Sequence, residues 1–129
     1  KDAFERALAA CDRAIAANPE NDSAVRKKVW ALTRWAEYQS AHGEDPRDAA
    51  GRAIATAQVA IGLNPKNAFP YEQIGLACLL SGTYEGELGL ETKEWEQRAE
   101  EQLQKSLEVN PNFAWAWNDL GNLYAARAR

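Results

Sequence analysis

Methionine is absent from this chain of 129 residues, histidine occurs once (His42), and cysteine occurs twice (Cys11 and Cys78). With no methionine even at position 1, an excised piece of a longer protein is the expectation. His42 falls in an expected turn and has neither the partner nor the pocket that a general base needs. Cys11 and Cys78 lie far apart in sequence and fit no metal or redox spacing, so a reducing, cytoplasmic compartment is the simplest reading. Valine, isoleucine and threonine are sparse, which disfavours sheet. No apolar run approaches the roughly 20 residues that span a bilayer, and no signal-peptide pattern opens the chain. Cationic excess is also lacking: the formal charge of −4 argues against nucleic acid and anionic membrane as partners. No nucleophile–base pair and no phosphate-cradling glycine loop is visible, so no enzyme, cofactor or metal site is expected.

What the chain does have is alanine, and a helical composition with it. Apolar residues make up 46% and charged residues 26%, within the globular range, and the length supports one domain over 1–129. The organising stretch is Ile61-Gly62-Leu63-Asn64-Pro65. It recurs as Ile15-Ala16-Ala17-Asn18-Pro19 and as Leu107-Glu108-Val109-Asn110-Pro111, so the prolines at 19, 65 and 111 are spaced by 46. The flanks keep the same register. Arg6, Arg52 and Arg98 share a column, as do Ala7, Ala53 and Ala99, and Ala14, Ala60 and Ser106. Tyr38 matches Tyr84, Gly43 matches Gly89, and Gly75 matches Gly121. A fixed period of this size signals stacked repeats, with units 1–46, 47–92 and 93–129, the last cut short. Each Asn-Pro ends a helix. Proline lacks an N–H and biases the preceding residue away from the α region, and asparagine tolerates a left-handed cap.

Each unit reads as two helices. The first helix, about 2–17, carries Phe4, Ala7, Leu8, Cys11, Ala14 and Ile15 at helical spacing, a stripe expected to be buried. Asn21 caps the next helix, about 22–41, with Val25, Val29, Trp30, Leu32 and Trp35. Asp45 is the expected cap of 46–63, with Pro46 at its first position. A helix after Asn67 holds Pro70 in its first turn. A glycine-softened helix to about Leu88 is favoured there over a loop from Ser81 to Glu91. Thr92 is the expected cap of a helix to Val109, and a last helix runs from Phe113 to about Arg127. The expected fold is all-α, with six helices in antiparallel pairs stacked into a curved superhelix.

These residues resemble tetratricopeptide repeats. That family places a large aromatic residue, then Leu-Gly three and four positions on, then an aromatic three further on. Trp117, Leu120, Gly121 and Tyr124 keep that spacing, and Tyr71, Ile74, Gly75 and Cys78 follow it less closely. Unit one departs, with Val25, Lys28, Val29 and Leu32. The family's unit is 34 residues, so each unit here is longer by 12, which would add about three helical turns. A looser resemblance links 36–47 to long repeats behind the kinase domain of large bacterial serine/threonine kinases. The glycine columns imply close approach of a facing helix, most simply at Ala99, and Gly121→Leu is then expected to overpack by roughly 1–3 kcal/mol.

The resemblance implies a non-catalytic scaffold that takes a protein or peptide in its concave groove. Carried over residue by residue, the groove positions are Ser23, Phe69 and Trp115, then Arg26, Glu72 and Asn118, then Trp30, Leu76 and Asn122, then Thr33, Leu79 and Ala125. The clamp that some members use for a C-terminal carboxylate needs Lys, Asn and Arg, and Trp30, Trp115 and Asp119 stand in their places, so that clamp is not expected. Arg26, Lys27, Lys28 and Arg34 form a basic face that suits ordinary surface charge, or else an acidic peptide or phosphate. Glu94, Glu96, Glu100 and Glu101 read as a solvated face rather than a metal site. The alternative to a scaffold is a spacer or self-association element that pairs through exposed repeat ends.

Overall fold

Asn18, Asn64 and Asn110 each follow a helix directly. In the computed structural model, which describes residues 2–128, the helices are α1 (Asp2–Ala17), α2 (Asp22–Ala41), α3 (Arg47–Leu63), α4 (Ala68–Glu87), α5 (Lys93–Val109) and α6 (Ala114–Arg127). No strand occurs among the described residues. The bounds of α3 recur in α5 at a spacing of 46, Arg47 to Lys93 and Leu63 to Val109. The starts of α2, α4 and α6 keep the same spacing, from Asp22 to Ala68 to Ala114. α2 and α4 have 20 residues each and α3 and α5 have 17, so the long period is taken up by helix and short links.

The helix ends differ from expectation in their mechanism. Asn64 and Asn110 are extended, with φ of −151° and −140°, and no residue other than glycine has positive φ among the described residues. The following proline sets this conformation, because its ring excludes the α region one residue earlier. Each asparagine then caps with its side chain. Asn18, Asn64 and Asn110 Oδ1 accept from the N–H two residues on, at Glu20, Lys66 and Asn112, each at 3.1 Å. The left-handed caps sit at the other link, at Gly43 (φ 71°) and Gly89 (φ 80°). There the Glu44 and Leu90 amides reach back to the Gln39 and Glu85 carbonyls at 2.8 and 2.9 Å, so two helices end in the same Schellman turn.

Starts are capped by side chains at repeating positions. Asn21 accepts from the Ala24 amide, and Asn67 accepts from the Phe69 amide. Phe113 holds the third of these positions and has no cap to offer. Asp45 accepts from the Arg47 amide at 2.9 Å, with Pro46 one place earlier than expected, just outside α3. Thr92 was expected to cap α5. Its hydroxyl instead donates to Glu96 at 2.7 Å, and Glu91 accepts the Thr92 and Lys93 amides. The helix through Ser81, Gly82 and Gly86 continues to Glu87.

The helices form two layers. α2 packs on α4 and α4 on α6, whereas α1, α3 and α5 touch only members of the first layer. The α2–α4–α6 layer is therefore the inner, concave one. The core is made of small residues that let axes close up: Ala36, Ala50, Ala57, Ala77 and Ala99 are fully buried between Val29, Ile54 and Ile74. Ser106 shares the column of Ala60 and donates its hydroxyl to the Ala68 carbonyl at 2.8 Å, tying α5 to the start of α4.

Two expectations fail at the ends of the stack, for one reason. In α1 only Leu8 is buried; Phe4, Cys11, Ala14 and Ile15 are half-covered and Ala7 is exposed, because α1 packs on α2 alone. A Cβ on Gly75 would lie 2.7 Å from the Leu103 side chain and 3.4 Å from the Ala99 carbonyl, so the close approach is real there. A Cβ on Gly121 meets nothing within 4 Å. The overpacking expected of Gly121→Leu has no partner to act on. Gly121→Ala is instead expected to raise stability by roughly 0.5–1 kcal/mol, through helix propensity alone, as read by thermal melting.

Candidate functional site: the concave face

Residues at 3.6 spacing on α2, α4 and α6 converge on one curved surface. Its N-terminal end is aromatic. Phe69 lies 6.2 Å from Trp115, and Trp115 lies 6.0 Å from Phe113, between ring centroids. Trp30 is 47% exposed and carries the Arg34 guanidinium over its ring at 5.5 Å. Trp115 is half-exposed, and Ser23 is exposed. Tyr71 and Trp117, one repeat apart, donate to the Pro65 and Pro111 carbonyls at 3.0 and 2.8 Å, so those rings fix the links and leave the groove to others.

Three of the four cations on the basic face of α2 are paired within the chain. Arg26 pairs with Asp22 at 3.1 Å, Lys28 with Asp12 at 2.7 Å and Arg34 with Glu37 at 2.6 Å. Two members of the acidic run are likewise engaged. Glu100 accepts from Tyr124 and Arg127, each at 2.8 Å, and Glu96 lies 3.4 Å from Arg127. No cluster able to hold a metal occurs among the described residues. His42 is exposed and stacks on Tyr38, with Nδ1 2.8 Å from the Tyr38 carbonyl. Cys78 is buried, and burial pushes its thiol up to about 11, which removes it as a nucleophile. Cys11, expected in the core, is only partly covered.

The middle of the face is a buried polar seam. Glu72, placed here as a groove residue, is 2% exposed and accepts from Gln73 Nε2 at 2.7 Å. Asp119 is 5% exposed. Burial, first, and then the Glu72 carboxyl and the charge of Glu37 push Asp119 up to about 9, and only Arg34 opposes them. Asp119 therefore holds a proton at neutral pH. Its Oδ2 and Gln73 Oε1 are buried without hydrogen-bond partners. Gln73, Arg34 and Glu37 are absent from the residues carried over by resemblance, and Asp119 enters there only as a position where the clamp's basic residue is missing. The visible signal was the Glu72-Gln73 pair inside the apolar run 68–80.

Towards the C-terminal end the layer opens into a cavity of about 620 Å³. Leu76, Leu79 and Asn122 line it, beside Glu37, Ser40, Leu80, Thr83 and Trp95. Leu76 and Leu79 are half-buried, and Leu79 also packs on the core. Asn118 and Ala125 are exposed, and Thr33 is buried with its hydroxyl on the Val29 carbonyl at 2.9 Å. The structure thus gathers Leu76, Leu79 and Asn122 at the cavity and Phe69 and Trp115 at the aromatic end, while Glu72 is buried beside Asp119 of α6.

Comparison with known proteins agrees with this fold. The family model described as tetratricopeptide repeat matches residues 103–129. No curated protein sequence matches the chain significantly. Among solved structures, the first tetratricopeptide-repeat domain of Spaghetti (RPAP3), bound to the HSP90 peptide SRMEEVD, superposes with a TM-score of 0.71. The identity is 18%, over 99% of this chain and 82% of that one. No helix among the described residues is long and apolar enough to cross a membrane. By its two-layer architecture and by the stretch 103–129, the chain has the tetratricopeptide-repeat fold.

Proposed function

We propose that the chain is a non-catalytic interaction scaffold that holds an extended segment of a partner protein along α2, α4 and α6. The observation that carries this reading is the inner layer itself. It leaves Trp30 and Trp115 about half-exposed and opens a cavity at Leu76, Leu79 and Asn122, on a surface rigidly backed by α3 and α5. The related fold with the peptide SRMEEVD supports the class of ligand. Apolar anchors would supply most of the affinity, and Arg26, Asn118 and Asn122 would orient the guest backbone. Free thiols at Cys11 and Cys78 fit a reducing, cytoplasmic setting. The looser likeness to kinase-associated repeats fits a regulatory segment that holds a partner near a bacterial kinase domain.

The reading is tested with peptides selected by the chain from a display library of random linear peptides. Trp30→Ala and Leu76→Ala are each expected to weaken binding about tenfold or more, corresponding to at least about 1.4 kcal/mol per anchor, with the melting curve retained. Unchanged affinity in both folded variants would remove the two residues from the site. A second reading, self-association, is favoured by one observation: Trp117, Gly121 and Tyr124 form an open face on α6, whereas Gly75 and Cys78, one repeat earlier, are covered by α5. Light scattering separates the two, since a stable dimer broken by Trp117→Ala would favour that face.

A further inference from the structure

The charged side chains that line the cavity of the inner layer are all acidic among the described residues. Glu37 enters it from α2, Glu87 from the end of α4 and Glu96 from the first turn of α5. Among the described residues, no lysine, arginine or histidine lines it. Its floor is aliphatic, made by Leu76, Leu79 and Leu80. Arg34 pairs with Glu37 and lies over the Trp30 ring, and Arg127 pairs with Glu96 and Glu100, which leaves Glu87 as the uncompensated carboxylate of the lining. Glu87 is exposed and makes no ion pair among the described residues.

The polar seam lies next to this lining. Asp119 and Glu72 sit one helical turn before the lining residues Asn122 and Leu76, and Asp119 feels the charge of Glu37. Neither carboxyl has an ion-pair partner among the described residues, and Asp119 Oδ2 and Gln73 Oε1 are buried and unpartnered. A site of this kind repels anions. It favours a ligand with an apolar stem and a cationic head, since lysine and arginine lay their methylenes on apolar surface and keep the charge at its edge.

We propose that this cavity takes a lysine or arginine side chain from an extended basic segment of the partner, its stem on Leu76 and Leu79 and its head at Glu87, beside Glu37 and Glu96. The proposal rests on the groove reading above and adds the sign of the ligand. That sign is opposite to the one suggested by the glutamates and aspartate of SRMEEVD on the similar fold.

The test uses the whole chain and the same display library. Selected peptides are expected to be enriched in lysine and arginine over the input. Glu37→Gln and Glu87→Gln are each expected to weaken them about fivefold, and raised salt is expected to weaken them further. Glu87 is exposed and unpaired, so its variant reports on binding with no loss of folding; Glu37→Gln serves as the second reading. Selected peptides without basic enrichment, or with affinity indifferent to both variants and to salt, would overturn the charge assignment and leave the groove reading standing. Failure to select any peptide would overturn both. Spermine competing as well as the peptides would overturn a peptide side chain as the occupant.

Discussion

Leu103→Ala is expected to cost about 2–5 kcal/mol, and adding Gly75→Val to it is expected to return part of that loss. Leu103 is fully buried and fills the space left by the missing Cβ of Gly75. Its truncation leaves a cavity between α4 and α5. Gly75→Val alone is also expected to destabilise, by about 1–3 kcal/mol, because its Cβ would start 2.7 Å from the Leu103 Cγ. The double variant reproduces what the chain already has one repeat earlier. There Val29 holds the position of Gly75 and Ala57 that of Leu103, and both are fully buried in one cluster. Large-against-small has been exchanged for small-against-large across the same contact. Urea denaturation of the four proteins reads the cycle. A coupling of at least about 1 kcal/mol in the restoring direction is expected, whereas strict additivity would mean that the two interfaces are not equivalent.

Asp119→Asn is expected to stabilise the chain at pH 8 by about 1–3 kcal/mol, the usual cost of a poorly satisfied buried polar group. In the fold, Asp119 is raised to about 9 by burial and by Glu72, against an ordinary value of 3.8. Between those limits the folded state holds a proton that the unfolded chain releases. Stability therefore falls as pH rises from about 4 to about 9, by at most about 1.4 kcal/mol per pH unit from this group. Asparagine cannot lose that proton, and its amide can donate to Glu72. Denaturation at pH 5 and at pH 8.5 should show the gap between native chain and variant widening with pH. A constant gap would mean that Asp119 is ionised in the fold.

Period and helix count were legible because local chemistry punctuates them. Asn-Pro, Asn21, Asn67, Gly43 and Gly89 each act within a few residues of themselves, and their spacing survives in the helix bounds. How they act was less legible. Whether asparagine caps through its backbone or its side chain depends on the proline beside it, and whether Thr92 or Glu91 caps α5 depends on which oxygen reaches the amides. End effects were not legible at all. Gly75 and Gly121 occupy one column, yet only Gly75 has a neighbour, and α1 carries the stripe of α3 without the covering layers. The site divides in the same way. That the aromatic and aliphatic candidates share the inner layer followed from register. The proximity of Asp119 to Glu72 and Glu37 arises from three helices and has no sequence spacing of its own.

Hairpins stacked in series make α2, α4 and α6 the proposed binding face. Backbone amide shift mapping with a library-selected peptide tests this directly. The perturbations are expected to run along those three helices, with Leu76, Leu79 and Asn122 among the largest. Perturbations confined to the outer layer of α1, α3 and α5 would contradict it.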